Sequence, residues 1–107
     1  MRIIERAMTK AFKEGRPLKR GDDEVQIKSM MITEEAYYRL HGNLIAVRVG
    51  STLHLRDAGD HTSTTKSRLN ALATVYGLPH LFQKAFDWYW TDGQDFTGSR
   101  IFDLNQF

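Results

Sequence analysis

Two glycine-marked breaks, eight residues apart, constrain this chain more than any other feature: Gly42-Asn43 and Gly50-Ser51 interrupt an otherwise β-branched, aromatic and aliphatic run over residues 37–56. Such dipeptides supply the positive φ that two-residue hairpin loops need, so three antiparallel strands are expected, over 37–41, 44–49 and 52–56. Alternation places Tyr38 and Leu40, and Leu53 and Leu55, on the inward face, with Arg39, His41, His54 and Arg56 on the other. Residues 44–49 (Leu-Ile-Ala-Val-Arg-Val) are apolar on both faces for most of their length, as a central strand covered on both sides would be.

The flanking segments supply the rest of an α+β domain. Ile4, Ala7, Met8, Ala11 and Phe12 recur at helical spacing over residues 2–14, and Gly15 and Pro17 end the pattern. Arg2, Arg6, Lys10 and Lys13 lie on the opposite side, making this helix basic as well as amphipathic. Residues 15–24 have charges and turn formers but no apolar period, and are expected to form an exposed loop. Val25-Gln26-Ile27-Lys28 alternates as a strand, with residues 30–33 either extending it or opening the next loop. Thr62, Ser63, Thr64 and Thr65 offer an N-cap to a helix whose stripe is Leu69, Leu72, Ala73 and Tyr76, stopped by Gly77 and Pro79. Its outer face is expected to hold Lys66, Arg68, Asn70 and Thr74. Beyond it, Phe82, Phe86, Trp88 and Trp90 share one parity of an extended chain, which suits a strand or a hairpin broken near Lys84-Ala85, and this face would be covered by the helix; a final strand is expected over 99–104.

The expected fold is therefore an antiparallel sheet, a β-meander plus C-terminal aromatic strands, with one packed helix and a basic N-terminal helix. At 107 residues and 41% hydrophobic composition the chain supports one core and one domain, divided into a basic helix and charged loop (1–24) and an α+β core (25–107). The absence of cysteine excludes disulfides, a thiol nucleophile and Cys-rich zinc sites. No stretch of about 18 apolar residues occurs and the N-terminus has no apolar run. A cytoplasmic location, with no membrane partner, is the resulting expectation.

Two stretches, His41-Gly42-Asn43-Leu44-Ile45-Ala46 and Thr64-Thr65-Lys66-Ser67-Arg68-Leu69-Asn70-Ala71-Leu72, resemble a set of small bacteriophage proteins. In these a Gly-Asn hairpin leads through a glycine turn to a Thr-Thr-Lys-x-Arg-Leu-Asn helix and a Trp/Tyr-containing strand. The resemblance spans about residues 38–92 and implies a phage or prophage origin; it brings no catalytic residues with it.

Side-chain chemistry points the same way. Residues 62–66 open a helix with hydroxyls and with Lys66 and Arg68 nearby, which could receive an anion, but hydroxyl clusters at helix starts are abundant without ligands and a plain N-cap is the expectation. His54, Asp57, Asp60 and His61 have donor atoms for a metal, yet their spacing matches no ligand pattern that would aim all four inward. Glu34 and Glu35, being adjacent, point to opposite sides of a strand, and no GxSxG motif presents a serine. No enzyme activity and no cofactor are expected. Charge is segregated: residues 1–28 hold eight Lys and Arg against five Asp and Glu, whereas residues 81–107 hold two against four. Arg2, Arg6, Lys10, Lys13, Lys19, Arg20, Lys66 and Arg68, with Tyr89, Asp92 and Asp95 at the aromatic and acidic end, are the candidate contact residues. The expected function is a non-enzymatic, phage-type binding protein that inhibits a host factor by occupying a surface, with a nucleic-acid-handling defence complex as target, in the manner of an anti-CRISPR. The alternative is a direct nucleic-acid-binding or transcription-regulating module. Expected partner classes are a host protein or ribonucleoprotein complex, nucleic acid, and a second copy of the chain.

Overall fold

The structure, a computed structural model, describes residues 1–107. Its elements are α1 (Ile3–Glu14), β1 (Leu18–Arg20), β2 (Asp23–Met30), β3 (Thr33–Leu40), β4 (Asn43–Val49), β5 (Thr52–Arg56), α2 (Ser63–Tyr76), β6 (Leu81–Lys84), β7 (Asp87–Trp90), β8 (Ser99–Asp103) and a closing 3-10 turn, Leu104–Gln106. Strands β1 to β5 form a continuous meander, and β8 returns antiparallel to β5 to complete a six-stranded sheet. The pair β6–β7 is a separate hairpin. The α+β class and the antiparallel sheet are as expected.

The expected loop over 15–24 is instead partly sheet. Leu18, Lys19 and Arg20 pair with Val25, Glu24 and Asp23, and the turn is compressed into Gly21-Asp22. The first hairpin loop also lies one residue earlier than the Gly-Asn signal suggests: Leu40 pairs with Asn43, leaving His41 (φ 53°) and Gly42 (φ 79°) as the two turn residues. Both central positions of a type I′ turn need positive φ, and His, unlike a β-branched residue, tolerates it. One irregularity between Tyr38 and Arg39 absorbs the shift, because Tyr38 pairs with Ala46 and Arg39 with Leu44. Ile45 is the extra residue of this bulge and is fully buried.

Cross-strand registers separate the two faces of the sheet. Val25, Tyr38, Ala46 and Leu55 form one row, and Ala36, Arg48, Leu53 and Phe102 a second, on the face that carries both helices. Met8, Ala11 and Phe12 of α1 and Leu69, Leu72 and Ala73 of α2 close over these rows, and all six are buried. Phe12 lies 6.3 Å from the rings of both Tyr38 and Tyr76. The opposite row, Gln26, Tyr37, Val47, His54 and Ile101, has no buried member. β4 is thus central but covered on one side only: its both-faces apolarity reflects the bulged Ile45 and a partly solvated Leu44, Val47 and Val49.

α1 is fixed at its C-terminal end by groups from three elements. Gly15 takes the left-handed conformation (φ 73°), where a Cβ would collide with the Glu34 carboxylate. Arg48 donates to the Phe12 carbonyl at 3.2 Å and to Glu34 at 3.1 Å, and Lys13 Nζ donates to the Val75 carbonyl at 2.9 Å. These bonds satisfy a last-turn carbonyl of α1 and one near the end of α2, which otherwise have no intrahelical donor.

The aromatic third departs from the single-face expectation. Ala85 (φ 52°) and Phe86 (φ 73°) form the β6–β7 turn, and folding the chain there separates the four aromatics. Trp88 and Trp90 face the core at 4% and 1% exposure; Phe82 pairs with Tyr89 on the outer face, and Phe86 projects from the tip. A two-residue turn puts residues of like parity on opposite faces of the hairpin, which is why simple alternation fails here.

Candidate interaction surface

The charged residues of this molecule divide into those that hold the fold and those that face solvent. Arg68 belongs to the first group, contrary to its expected place on the outer face of α2. It is 6% exposed, donating through Nη1 to Glu5 of α1 and through Nε to Asp23 of β2, each at 2.7 Å. Ser67 Oγ donates to the same Glu5 oxygen at 2.5 Å, the Arg2 backbone N–H to its other oxygen at 3.1 Å, and the Tyr38 hydroxyl to Asp23 at 2.5 Å. One guanidinium therefore joins three elements, and neutral donors stabilise the second carboxylate. Burial acts to raise Glu5, but hydrogen bonds from Ser67 and Arg68 outweigh it, and the carboxyl is held below its ordinary value. For Tyr38, burial first and the bond to Asp23 second push the hydroxyl well above the usual tyrosine range, keeping it a donor. All three guanidinium nitrogens of Arg68 are directed at these two carboxylates, and at 6% exposure the side chain presents little of itself to a phosphate or a partner.

The other basic candidates stay outside. Arg2, Arg6 and Lys10 are exposed along α1, and Lys19 and Arg20 on β1. Lys13 is exposed but tethered to the end of α2, and its ammonium lies 5.6 Å from the centre of the Tyr76 ring. Lys66 is half-buried over Trp88, 6.0 Å from the ring centre. At the start of α2, Thr62 Oγ1 accepts from the Thr65 N–H at 3.2 Å, the geometry of an N-cap. His61 stacks on Trp88 with ring centres 3.5 Å apart and pairs with Asp57 at 3.2 Å, whereas His54 lies on the uncovered face of the sheet. The four residues with metal-donor atoms are therefore split between two faces. Burial, with the neighbouring Arg56, lowers the His54 pKa and so favours the neutral imidazole.

At the acidic end, Asp92 is bound by Arg100 at 3.1 and 2.6 Å, and that hydrogen-bonded pairing lowers its pKa. Asp95 is exposed and sits opposite Tyr89 in an isolated bridge. Tyr89 is half-buried, its ring 5.8 Å from Phe82, which is 43% exposed.

Three of the four most exposed large apolar side chains are on hairpin tips, the other being Ile3 of α1 at 89%. Met31 and Ile32 form the turn between β2 and β3 at 103% and 99% exposure, with Met30 beside them at 55%, and Phe86 at the β6–β7 tip is 88% exposed. Neither tip was among the sequence candidates. A signal was present in Met30-Met31-Ile32, three apolar residues at a point where strand alternation stops and no Gly, Pro, Asn or Asp marks the turn.

A family model described as Kyanoviridae Gp96 protein matches residues 1–104. Comparison with curated proteins and with solved structures gives no match. No helix is long and apolar enough to cross a membrane.

Proposed function

We propose that this chain, which belongs to the Kyanoviridae Gp96 protein family and is thus a phage protein, is a non-enzymatic binding protein that inhibits a host factor by occupying one of its surfaces. The observation that carries this reading is the β2–β3 tip. Three large apolar side chains stand in water at a turn where polar residues fold at least as well, and contiguous exposed apolar surface of this kind suits a partner's groove. Methionine adapts to irregular surfaces, which favours its use in such a contact. The Arg68 ion pairs are turned inward, so charge serves the fold there while apolar side chains serve the exterior. The proposed site of action is the cytoplasm of the bacterial host, and the proposed class of target is a nucleic-acid-handling defence complex, a CRISPR effector among them.

The test is affinity purification from lysate of a bacterial host, with the native chain and a Met31→Ser/Ile32→Ser variant as parallel baits. Both substitutions are on the surface and should change stability by no more than about 0.5 kcal/mol. The expected result is a host protein retained by the native chain and lost, about tenfold or more, from the variant. If the native chain retains nothing that the variant does not, the tip is no contact and this reading fails.

The exposed Arg2, Arg6 and Lys10 along α1 favour a second reading, direct binding of nucleic acid. It predicts a mobility shift that weakens with salt, with a shallower salt slope once Arg6 and Lys10 are both changed to alanine. No shift of DNA or RNA at low salt would remove it.

A further inference from the structure

The two free edges of the six-stranded sheet differ in character. β1 is three residues long, follows Pro17, and carries Lys19 at its centre; a second copy laid antiparallel on it would set Lys19 against Lys19. Short length, proline and lysine are the features that guard an edge against pairing. β8, Ser99-Arg100-Ile101-Phe102-Asp103, is longer and has neither proline nor lysine. Its one basic residue, Arg100, is turned to the covered face, bound to Asp92 and lying 4.6 Å from the centre of the Phe102 ring.

The phase of the β5–β8 ladder shows which backbone groups of β8 are free. Leu104 N–H donates to the Ser51 carbonyl at 2.7 Å and Asp57 N–H to the Gly98 carbonyl at 3.1 Å, bracketing the strand. Hydrogen-bonded pairs alternate along an antiparallel ladder, so Arg100 and Phe102 turn their N–H and C=O groups to β5, while Ser99, Ile101 and Asp103 turn theirs away. Of these groups, the Asp103 carbonyl opens the 3-10 turn Leu104–Gln106 and the Ser99 carbonyl has a long contact, 3.5 Å from the Thr97 hydroxyl; both backbone groups of Ile101 and the Ser99 and Asp103 N–H face outward.

We propose that two copies of this chain pair β8 with β8, antiparallel about Ile101, joining their sheets into one. In that register Ile101 meets its own copy and Ser99 meets Asp103, so all three outward-facing residues fall in hydrogen-bonded pairs. No like charges stand directly opposite, since Asp103 faces a serine and Arg100 faces Phe102. On the uncovered face, the two Ile101 side chains, each 66% exposed, cover one another and continue the Val47, His54 and Ile101 row across the two-fold axis. With five residues a side the contact is at the small end of specific interfaces, and weak, concentration-dependent association is expected.

Sedimentation velocity over roughly 5 to 500 μM tests this. The native chain should rise from its monomer mass of 12.4 kDa toward twice that value. Ile101→Lys, which sets two ammonium groups face to face, should remain monomeric with its thermal midpoint unchanged, and Ile101→Val should associate like the native chain. Ser99→Glu, placing a carboxylate opposite Asp103, should weaken association from the other end of the strand. A native chain that stays monomeric throughout, or variants at both positions that associate as well as the native chain, would overturn the proposal; in the second case a Met31→Ser/Ile32→Ser variant would show whether the tip is the contact instead.

Discussion

Replacing Arg68 with alanine is expected to cost about 3–5 kcal/mol of folding free energy, because it strands two buried carboxylates without their cation. Glu5 and Asp23 are 2% and 1% exposed, and water cannot readily replace the lost guanidinium. Against the roughly 5–15 kcal/mol total stability of a small domain, the loss would leave a measurable unfolded fraction. Denaturant unfolding of the two proteins measures it directly, and a loss below about 1 kcal/mol would mean that the cluster is solvated. The pH dependence has a defined sign. In the native chain Glu5 is held below its ordinary value, so its contribution is fully present above pH 4.5 and disappears as pH falls through the lower folded-state value. In the Arg68→Ala variant Glu5 keeps its bonds from Ser67 and Arg2 but loses the guanidinium, so burial weighs more heavily against its charged form and the loss of stability in acid should be smaller than in the native chain.

Phe12→Ala is expected to have a similar cost, about 3–5 kcal/mol, for a different reason. Phe12 is fully buried between Tyr38 of the sheet and Tyr76 of α2, with the Arg48 guanidinium 5.8 Å from its ring centre. Removing the ring leaves a cavity at the meeting point of both helices and the sheet. Unfolding should remain a single transition, with helix and aromatic signals lost together, because Met8, Phe12 and Leu72 share one core. If α1 melted ahead of the sheet, the N-terminal helix would be an appendage rather than a structural member.

The meander was legible because its information is local: alternation and turn dipeptides placed Tyr38, Leu40, Leu53 and Leu55 inward, and all four are buried. The apolar stripes of both helices were legible for the same reason. Arg68 was misplaced because its partners lie 63 and 45 positions away, on α1 and β2. Even so, each member of the triad occupies a core-phase position. Glu5 precedes Met8 and Phe12 by three and seven residues, Asp23 precedes Val25 by two, and Arg68 precedes Leu72 by four. Three charges of complementary sign, each in phase with its own apolar stripe, are the pattern of a buried ion cluster. The break near Lys84-Ala85 was legible, but that Ala85 and Phe86 themselves form the turn was not, since neither residue is a usual carrier of positive φ. The tip residues escaped attention because apolar side chains are normally assigned to cores, and only the placement of a turn between Met30 and Thr33 shows that these face solvent.

The central claim, that the chain acts by seating its β2–β3 tip on a host protein, is tested most directly by methionine oxidation footprinting with and without the protein that the native chain retains. Met31 is fully exposed, Met1 is 52% exposed at the far end of the N-terminal helix, and Met8 is buried, so the chain carries its own references. The account predicts that in the complex Met31 oxidises several-fold more slowly, while Met1 is unchanged and Met8 stays protected in both states. Unchanged oxidation of Met31 in a complex that has formed would contradict it.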